Sequence, residues 1–298
     1  MTIRETLSAH LRLLRPYQWY KNLLVFVPLI FVGDLLQLPL LVQAILAFIG
    51  LCLVSSAGYV FNDMVDAEQD RKNPEKSDRP LVSGRLSKKA AVISMMLALL
   101  AGSAILLYAA FSAFLIGLVI FALTTLYTIY LKREPVLDVL VVGVNFVLRA
   151  AVGAFTVGVA ISPWLVICAL FLAILLALGK RLSEQKYLGS ALYAPEDLRL
   201  LMNISTTMLL MSYTLYTFLS GKRLLVITLP LAIYAVMRYY LLALSGARAA
   251  RHPHLLLLDV RMIAAIVLWV ALTVAILYAL PQTGQSLVGW MTPGFSAP

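Results

Sequence analysis

Charged residues are scarce in this 298-residue chain, at 13% of the composition. Hydrophobic residues make up 62%, and the mean hydropathy is +0.92. Soluble domains contain about 25% charged residues and no more than about half apolar residues. The shortage of charge extends over the whole length, which argues against a separate soluble domain. The sequence predicts an all-α integral membrane protein, with residues 1–298 as a single transmembrane domain.

Cysteine and the familiar catalytic motifs are also nearly absent. The two cysteines, Cys52 and Cys168, lie in apolar runs, which excludes a disulfide framework and favours a packing role. No GxGxxG or Walker A motif is present, and no Ser/His/Asp or Cys/His arrangement is readable. The net charge of +10 comes without a basic tail or interleaved aromatic and basic residues. It therefore favours anionic lipids and phosphorylated substrates over nucleic acid.

Long apolar runs are abundant, and a membrane-spanning helix needs about 20 such residues. The runs predict nine transmembrane helices, and the first is short and interrupted by Pro28. Before them, apolar residues of segment 1–16 share one helical face, which predicts an amphipathic helix on the membrane surface. The nine predicted spans are 20–33, 38–61, 88–109, 111–131, 136–158, 162–179, 200–220, 223–243 and 261–281.

The few basic residues are distributed asymmetrically between the two sides of the predicted bundle. If the N-terminus is cytosolic, 20 of the 24 Lys and Arg residues lie on the cytosolic side. The same orientation places every dense polar cluster on that side. We therefore expect a multi-pass protein of the cytoplasmic membrane, whose active site faces the cytosol.

The densest polar cluster covers residues 62–84, between the second and third spans. If the second helix continues to Asp70, then Asp63, Asp66 and Asp70 share one helical face. Three carboxylates in this arrangement repel one another and favour a divalent cation that also binds a diphosphate. Lys76 and Arg79 follow and suit the remaining phosphate oxygens. A solvated loop of mixed charge is the alternative interpretation.

Two further clusters lie on the same predicted side. Lys132 lies in the loop before the fifth span, while Asp138 and Arg149 share one face of that span. Arg149 lies inside the span, so it either contacts substrate or is a structural residue bound to Asp138 or to backbone carbonyls. After the sixth span, Lys180, Arg181 and Glu184 suggest either a phosphate-binding helix end or a positively charged helix end with one surface ion pair.

The motif Asn62-Asp63-x-x-Asp66-x-x-x-Asp70, closed by Arg79-Pro80-Leu81-x-Ser83-Gly84, resembles the first aspartate-rich motif of the UbiA superfamily of intramembrane prenyltransferases. This resemblance implies a UbiA-like bundle with a central cavity open to the cytosolic side. Five further segments are similar to decaprenyl-phosphate phosphoribosyltransferases: Arg15-Pro16-x-x-Trp19-x-Lys21-Asn22, the insert Asn73-Pro74-x-Lys76, Tyr127-x-x-x-Leu131-Lys132, the predicted helix from Asp138 to Arg149, and Gly179-Lys180-Arg181-x-x-Glu184.

The resemblance implies Mg²⁺-dependent transfer of phosphoribose from 5-phosphoribosyl 1-diphosphate to a polyprenyl phosphate, for the synthesis of cell-wall arabinose donors. Together with the polar clusters, it leads us to expect metal-binding and catalytic roles for Asp63, Asp66 and Asp70, and catalytic roles for Lys132 and Asp138. The expected substrate-binding residues are Lys21, Asn62, Lys76, Arg79, Tyr127, Arg149, Lys180, Arg181 and Glu184.

Two alternatives remain open at this stage. Glu134-x-x-x-Asp138 stands where aromatic prenyltransferases carry a second Asp-x-x-x-Asp motif, so an aromatic or haem prenyltransferase is compatible with the sequence. A membrane transporter is the remote alternative. Transporters need polar groups on both faces and broken helices at the midplane, whereas every dense polar cluster of this chain lies on one predicted side.

Overall fold

The computed structural model describes residues 3–188, 192–220 and 223–279, which are helical apart from turns and connecting segments. The chain divides into two compact units within helix α7, up to Ala173 and from Ile174. The α-helices are α1 (Ile3–Leu14), α2 (Val27–Val32), α3 (Leu38–Asp70), α4 (Lys88–Ala109), α5 (Phe111–Ile129), α6 (Leu137–Thr156), α7 (Pro163–Leu188), α8 (Pro195–Leu219), α9 (Leu229–Ser245), α10 (Arg248–Arg251) and α11 (Val260–Val274). A π-helix, Ala275–Ala279, follows α11, and the 3₁₀-helices are Pro16–Phe26, Pro74–Lys76, Leu131–Arg133, Arg223–Thr228 and Pro253–Leu258.

Seven helices of the described chain are long and apolar enough to cross a membrane. They confirm a multi-pass protein and overlap seven of the predicted spans, although the helices that begin at Leu38 and Pro163 end nine and six residues beyond the predicted ends. The predicted first span overlaps the 3₁₀-helix Pro16–Phe26 and the short α2, and the predicted seventh span overlaps α8. The count of nine, the single domain and the cavity open to the cytosol stay predictions. The seven helices are 38–70, 88–109, 111–129, 137–156, 163–185, 224–245 and 260–278.

Helix α3 organises the first unit, because α1, α4, α5, α6 and the 3₁₀-helix Pro16–Phe26 all pack against it. Glycine permits the closest of these contacts. A Cβ atom on Gly102 of α4 would lie 2.7 Å from the carbonyl oxygen of Gly50 in α3. At Gly153 of α6, a Cβ atom would lie 2.0 Å from the carbonyl oxygen of Val25. The absence of a side chain at Gly153 therefore lets the 3₁₀-helix approach α6.

Helix α1 packs on the first unit through Ala9 and Leu13, which are buried with Val60 of α3. Leu7 and Leu11 lie on its outer side and are exposed. This side belongs to the apolar face for which membrane contact is predicted, and that contact stays a prediction. The helix ends one residue before Arg15, whose φ of 52° and ψ of 55° lie in the left-handed region.

In the second unit, α9 packs against α8 and α11. Arg238 of α9 donates to both carboxylate oxygens of Asp259, at 2.8 and 2.7 Å. Asp259 also caps α11 by accepting a hydrogen bond from the Met262 backbone nitrogen. This ion pair therefore fixes the start of α11 to α9.

Candidate functional site

The C-terminal end of α3 carries the three predicted metal-binding aspartates. The helix continues without a break to Asp70, so Asp63, Asp66 and Asp70 share one face, as the sequence predicts. Asp63 and Asp70 are buried, whereas Asp66 is partly exposed. The helix has 33 residues and is roughly 50 Å long at 1.5 Å per residue. It is therefore longer than a bilayer core is thick, and its polar end extends beyond the apolar span.

The loop after α3 folds back and brings Arg79 onto this acidic face. Leu81 and Leu86 anchor the loop in the apolar cluster beneath α1, and Gly84 supplies a turn with φ of +74°. Arg79 Nη1 then contacts Asp63 Oδ1 at 2.9 Å and also donates to Asp70 Oδ2. One guanidinium group thus bridges two carboxylates that lie two helical turns apart.

Arg15 is a second guanidinium group on the same carboxylate, and it was not among the predicted site residues. Its Nε donates to Asp63 Oδ2 at 3.2 Å, and its Nη2 donates to Asp63 Oδ1, the oxygen that Arg79 also contacts. Burial alone would lower the pKa of Arg15, but the Asp63 carboxylate raises it above its usual value. The group therefore stays charged. The only sequence signal was its place in the Arg15-Pro16 motif.

Two lysine side chains contact Asp70 and Asp66. Lys76 Nζ lies 3.0 Å from Asp70 Oδ1. Lys132 follows α5 in the chain and forms an ion pair with Asp66. Next to this pair, Thr128 donates to the side-chain oxygen of Asn62 at 3.2 Å. These contacts connect the second predicted cluster to the first.

We call Asp63, Asp66, Asp70, Arg15, Lys76, Arg79 and Lys132 the carboxylate cluster. Its three carboxylates contact four cationic groups, which leaves one net positive charge. Within residues 3–188, 192–220 and 223–279, no three His, Cys, Asp or Glu side chains are arranged to hold a metal ion. Cationic side chains contact each aspartate instead.

The donor chemistry of the carboxylate cluster nevertheless fits a divalent cation. Carboxylate oxygens are the protein ligands that Mg²⁺ prefers, often together with phosphate oxygens of a substrate. Here three carboxylates share one helical face, and side-chain cations contact each of them. The aspartates are therefore the residues that would hold the metal, and the cations that contact them would then pair with phosphate oxygens of the substrate.

The start of α6 brings a buried carboxylate and a strained backbone close together. Asp138 is fully buried and accepts a hydrogen bond from the Val139 backbone nitrogen at 2.8 Å. Glu134, its partner in the imperfect second acidic motif, is exposed. Val136 has φ of 70° and ψ of −49°, and Leu137 N donates to Pro135 O at 2.9 Å. This is a γ-turn of the strained kind.

Three predicted substrate-binding residues lie elsewhere in the first unit. Arg149 is buried in α6 and contacts the side chains of Asn22 and Ser55, rather than Asp138 or backbone carbonyls. Lys21 donates to Gln18 and lies 5.8 Å from the centre of the Tyr59 ring. Tyr127 is partly buried in α5.

The third predicted cluster lies in the second unit, near the end of α7. Lys180 Nζ and Glu184 Oε1 are 3.6 Å apart and form the expected pair one helical turn apart. Lys180 is exposed, while Arg181 and Glu184 are partly buried. The nearby Ser183 is buried and donates to the Ala243 carbonyl of α9. The serine thus packs α7 on α9, and the predicted substrate contacts of this cluster stay predictions.

Comparison with known proteins identifies the family. Residues 24–258 match the UbiA prenyltransferase family. An uncharacterised protein, y4nM of Sinorhizobium fredii, is 39% identical over 171 residues, which cover 56% of this chain and 33% of that protein. The decaprenyl-phosphate phosphoribosyltransferase of Corynebacterium glutamicum is 34% identical over 224 residues, covering 70% and 67%. A protoheme IX farnesyltransferase of Leptospira interrogans is 30% identical over 132 residues, covering 41% and 44%.

The fold agrees with that assignment. A UbiA homologue from Archaeoglobus fulgidus, whose structure was solved with GPP and Mg²⁺, superposes with a TM-score of 0.70 and 22% identity. The superposition covers 90% of this chain and 99% of that homologue. The family match spans more than three quarters of the sequence. The chain is therefore a membrane-embedded transferase that belongs to the UbiA prenyltransferase family.

Proposed function

We propose that this protein transfers 5-phosphoribose from 5-phosphoribosyl 1-diphosphate to a polyprenyl phosphate such as decaprenyl phosphate, and that the reaction depends on Mg²⁺. Diphosphate is the leaving group. The product, a polyprenylphosphoryl 5-phosphoribose, would feed the synthesis of arabinose donors for cell-wall polymers. The asymmetry of Lys and Arg along the chain supports an active site on the cytosolic side of the cytoplasmic membrane.

The surplus of cations in the carboxylate cluster is the observation that carries the proposal. Four basic side chains surround three aspartates, so a divalent metal raises the net charge of the site to about three. The phosphoribosyl donor has a diphosphate and a separate phosphate, and the acceptor has another. These substrates together carry more phosphate groups than a prenyl diphosphate with an aromatic or haem acceptor, so they match the excess of cations better.

The reaction needs little covalent chemistry from the protein. The bond between ribose C1 and the diphosphate oxygen breaks, and an oxygen of the lipid phosphate forms the new bond to C1. The attacking oxygen is already anionic, so no general base is required. Mg²⁺, when bound to the aspartates, would stabilise the leaving diphosphate. Lys76, Arg79 and Lys132 would pair with phosphate oxygens as negative charge moves onto the leaving group.

The other predicted roles supplement this core. Asn62 would orient the aspartates, and Asp138, at the start of α6, would have a catalytic role. The remaining residues with predicted substrate contacts are Lys21, Tyr127, Arg149, Lys180, Arg181 and Glu184.

The test is a reconstituted assay with radiolabelled 5-phosphoribosyl 1-diphosphate, decaprenyl phosphate and Mg²⁺, and mass spectrometry of the lipid product. Asp66→Asn and Asp70→Asn should each lower turnover more than about 100-fold. Loss of a residue that only hydrogen-bonds to a metal ligand already lowers metal affinity or activity about 10- to 100-fold. Asp78→Asn is the matched control. Asp78 lies in the same loop and is exposed, and its ion pair with Arg85 spans 3.6 Å. Near-normal turnover of both variants would contradict the metal assignment.

A second candidate function is the transfer of a prenyl group to an aromatic or haem acceptor. The similarity to the Leptospira farnesyltransferase and the Glu134-x-x-x-Asp138 motif favour it. The same preparation offered a prenyl diphosphate with hydroxybenzoate, or with protohaem, separates the two functions. Prenylated product without any phosphoribosylated lipid would replace the first proposal.

A further inference from the structure

Arg149 carries a positive charge into a membrane-spanning helix. It follows the start of α6 by 12 residues, or roughly 18 Å of helix, and is 5% exposed. A charged side chain at such depth is expensive and needs a partner or a wet cavity. The identity of its partners therefore decides whether the residue has a structural or a ligand-binding role.

The contacts of Arg149 orient its guanidinium group but do not neutralise it. Its Nη1 donates to Asn22 Oδ1 and, at 3.1 Å, to Ser55 Oγ. The guanidinium carbon lies 5.9 Å from the centre of the Phe146 ring. In the described part of the chain, Nε has no hydrogen-bond partner, and no carboxylate forms an ion pair with this arginine. The charge is thus buried without an anion.

Asn22 provides a second sign of a binding site. It is fully buried, and its side-chain Nδ2 donates to the Cys52 sulfur at 3.2 Å. Sulfur is a weak acceptor. Its Oδ1 accepts from both Arg149 and Ser55. The site therefore offers an incoming anion two poorly used donors, Arg149 Nε and Asn22 Nδ2.

This site is separate from the carboxylate cluster, although both lie on α3. Ser55 precedes Asp63 by eight residues, or roughly 12 Å along the helix. A diphosphate bound at the aspartates would not also fill the site at Arg149. The ligand is therefore a different anionic group. A guanidinium group matches phosphate geometry, and a phosphate monoester carries about 1.5 to 2 negative charges, enough to offset Arg149.

We propose that Arg149, Asn22 and Ser55 form a binding site for a phosphate monoester within the first unit. The inference rests on the proposed phosphoribosyl transfer, which supplies two such groups: the 5-phosphate of the donor and the terminal phosphate of the lipid acceptor. The alternative is that Arg149 only joins the 3₁₀-helix Pro16–Phe26 to α3 and α6.

The variant Asn22→Asp separates the two roles, because it places a carboxylate beside Arg149 with almost no change in shape. A structural arginine would be bound more tightly, with substrate affinity unchanged. A phosphate site would be neutralised, so phosphate affinity should fall about tenfold to a hundredfold while the unfolding temperature stays equal or rises. Arg149→Lys keeps the charge without the planar fork and should lose part of the affinity. Asn203→Asp, at an exposed position of α8, is the control.

Equilibrium dialysis of the detergent-solubilised full chain in EDTA measures binding of two probes, ribose 5-phosphate and a short-chain polyprenyl phosphate. The probe whose affinity falls in Asn22→Asp identifies the phosphate that this site binds. The inference is wrong if the wild type binds neither probe, or if Asn22→Asp binds both as the wild type does. If Asn22→Asp weakens a probe but the wild type forms no phosphoribosylated lipid, the proposed function fails and the phosphate site stands.

Discussion

The ion pairs of Asp63 should stabilise the fold, and this effect can be measured independently of catalysis. Arg15 is 9% exposed and pairs with the Asp63 carboxylate, whereas Arg79 contacts both Asp63 and Asp70. Asp63→Asn leaves the buried Arg15 without that carboxylate, a change that typically costs about 3–5 kcal/mol. Arg15→Met leaves Asp63 paired with Arg79 at 2.9 Å. It should cost less, about 1.5–3 kcal/mol for the lost charged hydrogen bonds.

The double variant tests the cause directly. When Asp63→Asn has already left Arg15 without its carboxylate, the further change Arg15→Met removes the buried charge. The double variant should therefore be more stable than Asp63→Asn alone, although it carries one more substitution. Additive destabilisation would contradict this account.

Thermal unfolding of the detergent-solubilised protein in EDTA measures the effect. Cys52 and Cys168 are the two cysteines, one buried and one partly buried, so a thiol-reactive fluorophore reports unfolding. At about 2–4 °C per kcal/mol, Asp63→Asn should lower the midpoint by roughly 6–20 °C. Asp78→Asn is the control, because its exposed pair is worth about 0–1 kcal/mol. Equal shifts for Asp63→Asn and Asp78→Asn would refute the reasoning.

Two further predictions concern other parts of the chain. Val136 has a positive φ, which costs a residue with a Cβ atom about 1–2 kcal/mol. Val136→Gly should therefore unfold at a higher temperature than Val136→Ala, whereas at an ordinary helix position the alanine variant is the more stable. A higher unfolding temperature for Val136→Ala would show that the turn is not strained. Hydrogen bonds from Arg238 lower the pKa of Asp259, so this carboxylate stabilises the fold fully above the usual aspartate pKa of about 4 and loses its effect as the pH falls through its lower folded value. Unfolding midpoints of the wild type and Asp259→Asn should therefore differ at pH 7 and converge at low pH, and a difference that does not vary with pH would contradict the assignment.

The sequence was sufficient to predict the elements that depend on local pattern. The predicted span 88–109 coincides with α4, and the predicted span 111–131 ends two residues beyond α5. The shared face of Asp63, Asp66 and Asp70 follows from helical periodicity alone, once the helix continues to Asp70. Hydropathy and periodicity act over one element at a time, so a single sequence reveals them.

The partners of the predicted residues were not predictable in this way. Arg15 reaches Asp63 across 48 residues, Lys132 reaches Asp66 across 66, and Arg149 reaches Asn22 across 127. From the sequence, Asp138 was a possible partner for Arg149, because both residues lie on one helical face. Packing of the 3₁₀-helix Pro16–Phe26 against α6 instead brings Asn22 to the arginine.

By itself, then, the sequence determined a polytopic helical membrane protein, its aspartate-rich helix end and the family motif. Those properties follow from composition and from the spacing of residues within one helix. Only the tertiary structure decided that cationic side chains contact all three aspartates, that Arg15 belongs to their cluster, and that Arg149 is buried among neutral groups. The physical reason is that pairing of charges depends on distances between elements, and those distances are set by close packing, such as the approach that Gly153 permits.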